Sequence, residues 1–280
     1  MKLQVRHKTT YRFDPPTRSM VQSLRLTPSA FEGQQINAWD ITCDAGDCPV
    51  ETGSSFTEGA GDHIMTVSVR GEVTEFTVTV TGEVETSDCS GVVKGLRDKV
   101  PPLAYLRQTT ASWPNAVLKD LARDTLIDLG TAGVLQQAHA LSKATSDALD
   151  FLPGETEAST SAAEAIGIGK GVCQDFTHVL IGMARASDIP ARYVTGYLLS
   201  GSDGSAHEAS HAWAELYVAG LGWVGFDAAN ECCPDERYIR LGSGFDAIDA
   251  APIRGISVGE VDQEMLEELL VDVAVTQMQQ

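Results

Sequence analysis

The chain has 280 residues, 43% of them hydrophobic, which is enough to bury the core of one large domain or two ordinary ones. Asp and Glu number 39 against 20 Lys and Arg, and the formal charge of -19 would repel a phosphate backbone, so no nucleic-acid partner is expected. No apolar run approaches the roughly 18 residues of a membrane helix, and the amino terminus lacks the apolar region of a signal peptide, so we expect no membrane partner and a cytoplasmic location.

The first third of the chain has the pattern of β-structure. From residue 3 to about 88, apolar and polar residues alternate between Gly, Pro and Asp, which predicts antiparallel strands. We place an amino-terminal β-rich domain at residues 1–95 and a second domain at residues 96–280.

The middle third has helical spacing. Apolar residues recur three or four apart over 115–130 and 134–152, which predicts two helices. Ser161 and Glu164 have the spacing of a capping box and predict a third, short helix. The β pattern returns beyond residue 190, so the fold class is α+β.

The tail of the chain allows two interpretations. Residues 269–278 alternate as a last strand does. Residues 263–271 could equally form a helical turn.

The six cysteines, at 43, 48, 89, 173, 232 and 233, lack the density of a disulfide framework, and reduced thiols are expected. Cys43 and Cys48 with His63 could form half of a zinc site, but no second Cys or His pair has ligand spacing. The adjacent Cys232 and Cys233 are expected in a loop. No metal and no organic cofactor are predicted.

Cys173 occupies a distinctive position. In "GKGVCQDFTHVL" two glycines permit a tight turn, and the apolar residues at 176, 179, 180, 183 and 184 predict a helix that ends before Pro190. Cys173 then lies in the first helical turn, where unpaired N–H groups and the helix dipole favour a thiolate. This position indicates that Cys173 is a nucleophile. The competing interpretation is a buried, unreactive cysteine that only fills space in the core.

A thiolate nucleophile needs a base and an orienting acid. His178 is nearest but lies roughly 140° around the helix axis from Cys173, so we expect a surface or packing role. His211 begins a predicted strand that turns at "AGLG" into a second strand carrying Asp227. The resulting order Cys173, His211, Asp227 is that of papain-like chemistry. Ordinary roles are expected for the other histidines, His7, His63, His139 and His207.

The turn between these strands decides whether the two side chains meet. A two-residue loop would put His211 and Asp227 on opposite faces of the hairpin. A three-residue loop, Ala219 to Leu221, or a glycine bulge puts them on the same face, directed toward Cys173.

Four further residues near the predicted site have weaker signals. For Trp213 and Trp223, sheet packing is at least as well supported as substrate contact. Glu215 shares the face of His211 but is expected to be a solvated strand residue. The backbone N–H of Cys173 is one expected oxyanion donor, and Gln174 is a weak guess for a second.

Four segments, "GVCQDFTHVL", "IPARYVTGYL", "HAWAELYV" and "GWVGFDAAN", resemble in order and spacing the core of bacterial transglutaminase-like proteins, which are described as candidate cysteine proteases. The resemblance extends to "HKTTYRFDPP" and "LRLTPS" near the start and to "IRLGSGFDAIDAAPIRGISVG" near the end. It implies a papain-like core with the catalytic helix packed on an antiparallel sheet, and makes Cys173 the nucleophile, His211 the base and Asp227 the orienting acid.

This chain departs from the family pattern at two places. "DAAN" keeps Asp227 and Asn230 but lacks the usual proline between them. "GFDAIDA" keeps Asp246 and Asp249 but lacks the usual arginine and tyrosine.

The expected activity is thiol-dependent acyl transfer through a thioester, acting on peptide, isopeptide or glutamine carboxamide bonds, with water or an amine as acceptor. The resemblance also implies a peptide or protein substrate and ATP-grasp-type and α-helical partner proteins. The alternative is a noncatalytic peptide-binding or protein-binding module on the same fold, against which the three retained residue types argue.

Overall fold

The computed structural model of the protein describes residues 1–199, 210–258 and 266–278. The strands are β1 (Lys2–Thr27), β2 (Gln34–Asp44), β3 (Val50–Thr57), β4 (His63–Thr86), β5 (Val92–Val93), β6 (Asp150–Phe151), β7 (Lys170–Gly171), β8 (Ala191–Leu198), β9 (Ser210–Val218), β10 (Gly222–Phe226), β11 (Tyr238–Gly244), β12 (Ile253–Val258) and β13 (Leu266–Gln277). The helices are a 3-10 helix (Pro102–Leu106), α1 (Ala116–Ile127), α2 (Val134–Ala148), α3 (Ala162–Ile168) and α4 (Cys173–Ala186).

The amino-terminal strands form an antiparallel sheet, as the alternating pattern predicts. Strands β12, β1, β4 and β2 lie side by side, β3 pairs with β4, and β13 pairs with β1. Alternate residues of β1 and β4 are buried, so one face of the sheet covers a core.

The tail returns to this sheet. Residues 253–258 pair with 19–24 of β1, and residues 266–277 pair with 3–14 of β1. The described part of 263–271 is therefore strand, and the helical alternative is wrong for it. The domain division near residue 95 stays a prediction. The tail, which we expected in the second domain, instead completes the amino-terminal sheet, because β1 is long enough to pair with both last strands.

The helices begin and end close to the residues that the spacing predicts. At the start of α3, Ser161 donates its backbone N–H to Glu164 Oε2 at 2.8 Å, and its hydroxyl accepts the N–H of Glu164, which is the expected capping box. The five apolar positions predicted for α4 are all buried: Phe176, Val179, Leu180, Met183 and Ala184. Within the described residues, no helix has the length and apolarity to cross a membrane.

The second sheet is antiparallel and has the strand order β11, β8, β9, β10, β5. Helix α4 packs against β9, and both contribute to one buried apolar cluster. Ala214 and Leu216 of β9 join this cluster, as do Val224 and Phe226 of β10. The predicted α+β class, with the helix that carries Cys173 lying on an antiparallel sheet, is confirmed.

The β9–β10 hairpin has the predicted three-residue loop. Val218 pairs with Gly222, and the register continues to Ala214 opposite Phe226. The Leu221 N–H donates to the Val218 carbonyl at 3.0 Å, while Gly220 and Gly222 have φ angles of 88° and 90°, which favour glycine. One further step along this register places Asp227 opposite Trp213, so the carboxylate lies on the same face as His211.

A buried charge cluster joins the two sheets. Glu215 accepts from Arg192 Nε at 2.6 Å and from Arg240 Nε at 2.9 Å, and Arg240 also donates to Asp62 of the amino-terminal region at 2.9 Å. The side chain of Glu215 is 0% exposed. The expectation of a solvated Glu215 is therefore wrong, because arginines from β8 and β11 enclose it.

Candidate active site

Cys173 is the first residue of α4. The chain approaches it in an extended conformation at Val172, whose N–H donates to Asp175 Oδ2 at 2.8 Å. The same carboxylate oxygen accepts the Thr156 hydroxyl at 2.7 Å. A Cβ at Gly171 would lie 2.6 Å from the side chain of Asp175, so glycine is needed for this close approach. The result is a fixed helix start, with Cys173 among N–H groups that have no acceptor within the helix.

His211 and Asp227 are directly hydrogen bonded, with 2.6 Å between Nε2 and Oδ2. Asp227 is almost fully buried. Its Oδ1 accepts the backbone N–H groups of Ala229 and Asn230 at 3.1 and 3.2 Å, and its Oδ2 also accepts Asn230 Nδ2 at 2.7 Å and the Tyr238 hydroxyl at 2.8 Å. Four donors besides the ring thus hold the carboxylate in place against the imidazole.

The Cys173 side chain also acts electrostatically on His211 and favours the protonated form of the ring. Because Nε2 faces Asp227, Nδ1 is the ring nitrogen left for the sulfur. Burial acts to lower the pKa of His211, but the hydrogen bond to Asp227 and the effect of Cys173 outweigh it and raise the pKa to about 10. The ring is therefore held as an imidazolium between carboxylate and sulfur near neutral pH.

The electrostatics of Asp227 match this pairing. Burial acts to raise the pKa of Asp227, but the His211, Asn230 and Tyr238 donors outweigh it and hold the pKa below its usual range. The carboxylate is ionised where the imidazole is protonated. The sequence prediction that these two side chains lie adjacent on one face of the hairpin matches the geometry.

The two tryptophans near the predicted site are packing residues. Trp213 lies against the His211 ring, with centroids 6.4 Å apart and 28° between planes. Trp223 lies farther along the hairpin, where Nε1 donates to Asp98 at 3.0 Å and the Arg192 guanidinium stands 4.1 Å from the ring centroid. Trp213 thus forms a wall behind the histidine, and Trp223 belongs to the buried charge cluster.

His178 is a packing residue, one of the two roles expected for it. It is 1% exposed, its Nε2 accepts the Ala247 N–H at 3.1 Å, and burial lowers its pKa to about 4. Gln174, the weak guess for an oxyanion donor, gives its amide N–H to the Ala158 carbonyl at 3.0 Å. That bond ties the preceding loop to α4.

The remaining histidines have structural contacts. His7 lies between Tyr197 and Thr9, each 2.6 Å away, and burial lowers its pKa to about 4. His63 bonds Ser55 at 2.9 Å, and His139 packs edge-on against the Phe226 ring. His207 lies outside the described residues.

The altered "GFDAIDA" segment folds into a tight turn. Asp246 Oδ1 accepts the Asp249 N–H at 2.9 Å, and Asp249 Oδ2 accepts the Phe245 N–H at 3.0 Å. Both retained carboxylates therefore cap the turn that supports Ala247 against His178.

The thiols other than Cys173 differ in their surroundings. Burial raises the pKa of Cys43 to about 11 and also raises the pKa values of Cys232 and Cys233, which lie in the predicted loop. In the described ranges, no group of three or more His, Cys, Asp or Glu side chains could hold a metal ion.

Sequence reasoning missed two side chains at this site. Tyr238 carries no motif and reaches Asp227 only because β11 pairs with β8, beside β9. Asn230 was noted in "DAAN" without a role, and its spacing of three from Asp227 allowed the loop to fold back on the carboxylate.

Comparison with known proteins finds two family models that match parts of the chain and a solved structure with the same fold. Residues 121–228 match the model of the Transglutaminase-like superfamily, and residues 3–85 match that of the Bacterial transglutaminase-like N-terminal region. A crystal structure of a candidate cysteine protease from Cytophaga hutchinsonii has the same fold, with a TM-score of 0.72, 23% identity, and coverage of 100% of this chain and 92% of that chain.

Two mycobacterial proteins of uncharacterised function are similar over most of their length. One from Mycobacterium leprae is 29% identical over 276 residues, covering 92% of this chain and 94% of that protein. One from Mycobacterium tuberculosis is 29% identical over 289 residues, covering 91% and 87%. The chain thus matches the transglutaminase-like core over residues 121–228 and the amino-terminal region of bacterial transglutaminase-like proteins over residues 3–85.

Proposed function

We propose that the protein is a thiol-dependent acyl-transfer enzyme. Cys173 is the nucleophile, His211 the general acid and base, and Asp227 the group that orients His211. The substrate is a peptide or protein that presents a peptide, isopeptide or glutamine carboxamide bond. The observation that carries this proposal is the imidazole of His211 hydrogen bonded to buried Asp227 at 2.6 Å, with Cys173 at the start of α4 acting on the same ring.

In the first half-reaction the Cys173 thiolate attacks the carbonyl carbon of the substrate and forms a C–S bond. The negative charge moves to the carbonyl oxygen, where the Cys173 backbone N–H is one candidate donor. The C–N bond then breaks, and protonated His211 donates its proton to the departing amine or ammonia. The products are a thioester on Cys173 and a neutral imidazole.

In the second half-reaction neutral His211 takes a proton from the acceptor as the acceptor attacks the thioester carbonyl. The C–S bond breaks, and the thiolate and imidazolium are restored. Water as acceptor makes the enzyme a peptidase or amidase, and an amine makes it a transamidase.

The test is to trap the acyl-enzyme. The full chain is incubated with a peptide library, with and without a primary amine, and intact mass and peptide mapping locate any adduct. We expect an acyl adduct on Cys173 in the wild type, none in Cys173→Ala, and faster loss of the adduct with amine if the enzyme is a transamidase. A wild-type protein whose Cys173 forms no adduct and shows no thiol reactivity at neutral pH would contradict the proposal and favour the noncatalytic binding module.

A further inference from the structure

Tyr238 lies behind the carboxylate of the proposed triad. Its hydroxyl is 2.8 Å from Asp227 Oδ2 and 3.3 Å from the Cys232 sulfur. The ring is 5% exposed and packs edge-on against Trp213, with centroids 5.5 Å apart. The hydroxyl is therefore held in place by the packing of its own ring.

The direction of these hydrogen bonds follows from the protons available. An ionised Asp227 can only accept, so the single proton of the Tyr238 hydroxyl goes to the carboxylate. The Tyr238 oxygen keeps lone pairs that can accept from a second group. Burial raises the pKa of the Cys232 thiol, which leaves it protonated and able to donate to that oxygen.

From this geometry we infer that Tyr238 is a positioning residue for His211, acting through Asp227, and that the Cys232 thiol supports it. The chain runs from the Cys232 S–H to the Tyr238 oxygen, and from the Tyr238 O–H to Asp227 and His211. This inference rests on the proposed function, because it assigns the two residues to the same site.

The chain has two physical effects. It fixes the carboxylate oxygen that faces His211, since Oδ2 receives donors from three side chains. It also stabilises the ionised carboxylate, because each donor favours the charged form. Loss of the Tyr238 hydroxyl therefore raises the pKa of Asp227 and loosens the orientation of the imidazole.

The test uses iodoacetamide as a probe of the Cys173 thiolate, so it needs no substrate. The labelling rate of Cys173 in the full chain is measured by peptide mapping from pH 5 to 9. We expect Tyr238→Phe to lower the rate at pH 7 by about threefold to tenfold, the range for one weakened charge-assisted hydrogen bond, and to move the acid-side midpoint to higher pH. The shift has this sign because a weakened Asp227–His211 pair stabilises the imidazolium less, and a less firmly held imidazolium stabilises the Cys173 thiolate less.

Two sets of controls separate positioning from packing. Tyr217→Phe is the matched control: Tyr217 also packs edge-on against a tryptophan, Trp223 at 5.4 Å, and should leave the profile unchanged. Cys232→Ala should shift the profile in the same direction by less, and Cys232→Ser should restore it, since a serine hydroxyl also donates.

The outcomes distinguish this inference from the proposed function. A Tyr238→Phe profile identical to those of the wild type and Tyr217→Phe overturns the positioning role and leaves the proposed function standing. Equal shifts in Cys232→Ala and Cys232→Ser overturn the link through the thiol. Wild-type Cys173 labelling no faster than that of the other thiols contradicts the proposed function itself.

Discussion

Strand β9 contributes to two charge clusters, of which only one contains an imidazole, a group that can gain and lose a proton. His211 stands near one end of the strand, bonded to Asp227, and Glu215 stands four residues on, bonded to Arg192 and Arg240. The first pair contains a titratable ring beside a half-buried sulfur, whereas the second joins a carboxylate to guanidiniums that stay charged at any ordinary pH. The same strand thus carries one cluster that can exchange a proton and one that cannot.

The difference shows why burial of a carboxylate alone does not identify a functional site. Asp227 and Glu215 are both almost fully buried, and donors outweigh burial to lower the pKa of each. Only Asp227 is bonded to a group that can gain and lose a proton, the imidazole that we propose acts on Cys173. We therefore expect damage at Asp227 to appear in reactivity and damage at Glu215 to appear in stability.

The largest expected effect is on reactivity. Asp227→Asn should cut the rate of acyl-enzyme formation on Cys173 by on the order of 10²-fold or more, because the imidazole loses its charged orienting partner. Circular dichroism should show an intact fold. Asp235→Asn is the matched control, since Asp235 pairs with Arg237 near the surface. Equal rates in Asp227→Asn and the wild type would contradict the role of Asp227.

The next effect is on stability. Glu215→Gln should lower the free energy of unfolding by about 3 to 5 kcal/mol, because two buried arginines lose the carboxylate they share and keep one partner each, Asp98 for Arg192 and Asp62 for Arg240. Glu75→Gln is the control, since its pair with Arg12 is half exposed and should contribute about 1 kcal/mol or less. Denaturant titration measures both variants. A Glu215→Gln protein as stable as Glu75→Gln would remove the proposed contrast between the clusters.

Trp213 stands between the two clusters, and Gly196 makes room for it. A Cβ at Gly196 would come within 2.6 Å of the Trp213 ring and would overlap the Ile239 carbonyl oxygen. Gly196→Ala should therefore cost about 1 to 3 kcal/mol of stability and slow Cys173 labelling as well. Gly167→Ala is the control, because nothing lies within 4 Å of its Cβ position. An effect on stability alone would show that Trp213 does not support His211.

The smallest effect is a pH dependence that separates two kinds of buried histidine. The pKa of His178 is lowered to about 4, so its folded form is neutral and stability is lost as pH falls below about 6.5. From pH 6.5 to 5 this amounts to about 1 to 2 kcal/mol. The pKa of His211 is raised to about 10, so its contribution is complete below about 6.5 and is lost as pH rises through 10.

Denaturant titrations at several pH values measure this contrast. His178→Gln, which can still accept the Ala247 N–H, should reduce the acid-side loss, and His63→Gln should leave it unchanged. An acid-side loss of the same size in His178→Gln as in the wild type would show that other groups control it.

The sequence was sufficient to predict the parts of the site that depend on local pattern. The glycines before Cys173 and the apolar spacing after it placed the start of α4. The alternation around Gly220 required either an odd-length loop or a glycine bulge, and the Val218 and Gly222 pair shows the odd-length loop. Each signal lies within a few residues of the feature that it predicts, the start of α4 or the β9–β10 loop.

The rest could not be predicted because it depends on contacts between distant segments. Glu215 is enclosed by arginines from two other strands, and Tyr238 reaches Asp227 through the order of strands in the sheet. Period-2 alternation gives the face of a strand residue, but it does not say whether water or another sheet covers that face.

The pairing of β1 with the tail has a consequence for how the chain is made. Strand β1 is made before the segments that cover both of its edges: one edge pairs with β4, but on the other edge residues 3–14 and 19–24 pair with segments 266–277 and 253–258. At translation rates of about 5 to 20 residues per second, its outer edge waits on the order of 10 to 50 s for them. During that interval β1 presents an unpaired, half-apolar edge to other nascent chains, so the amino-terminal sheet is begun before the helices are made and completed after them.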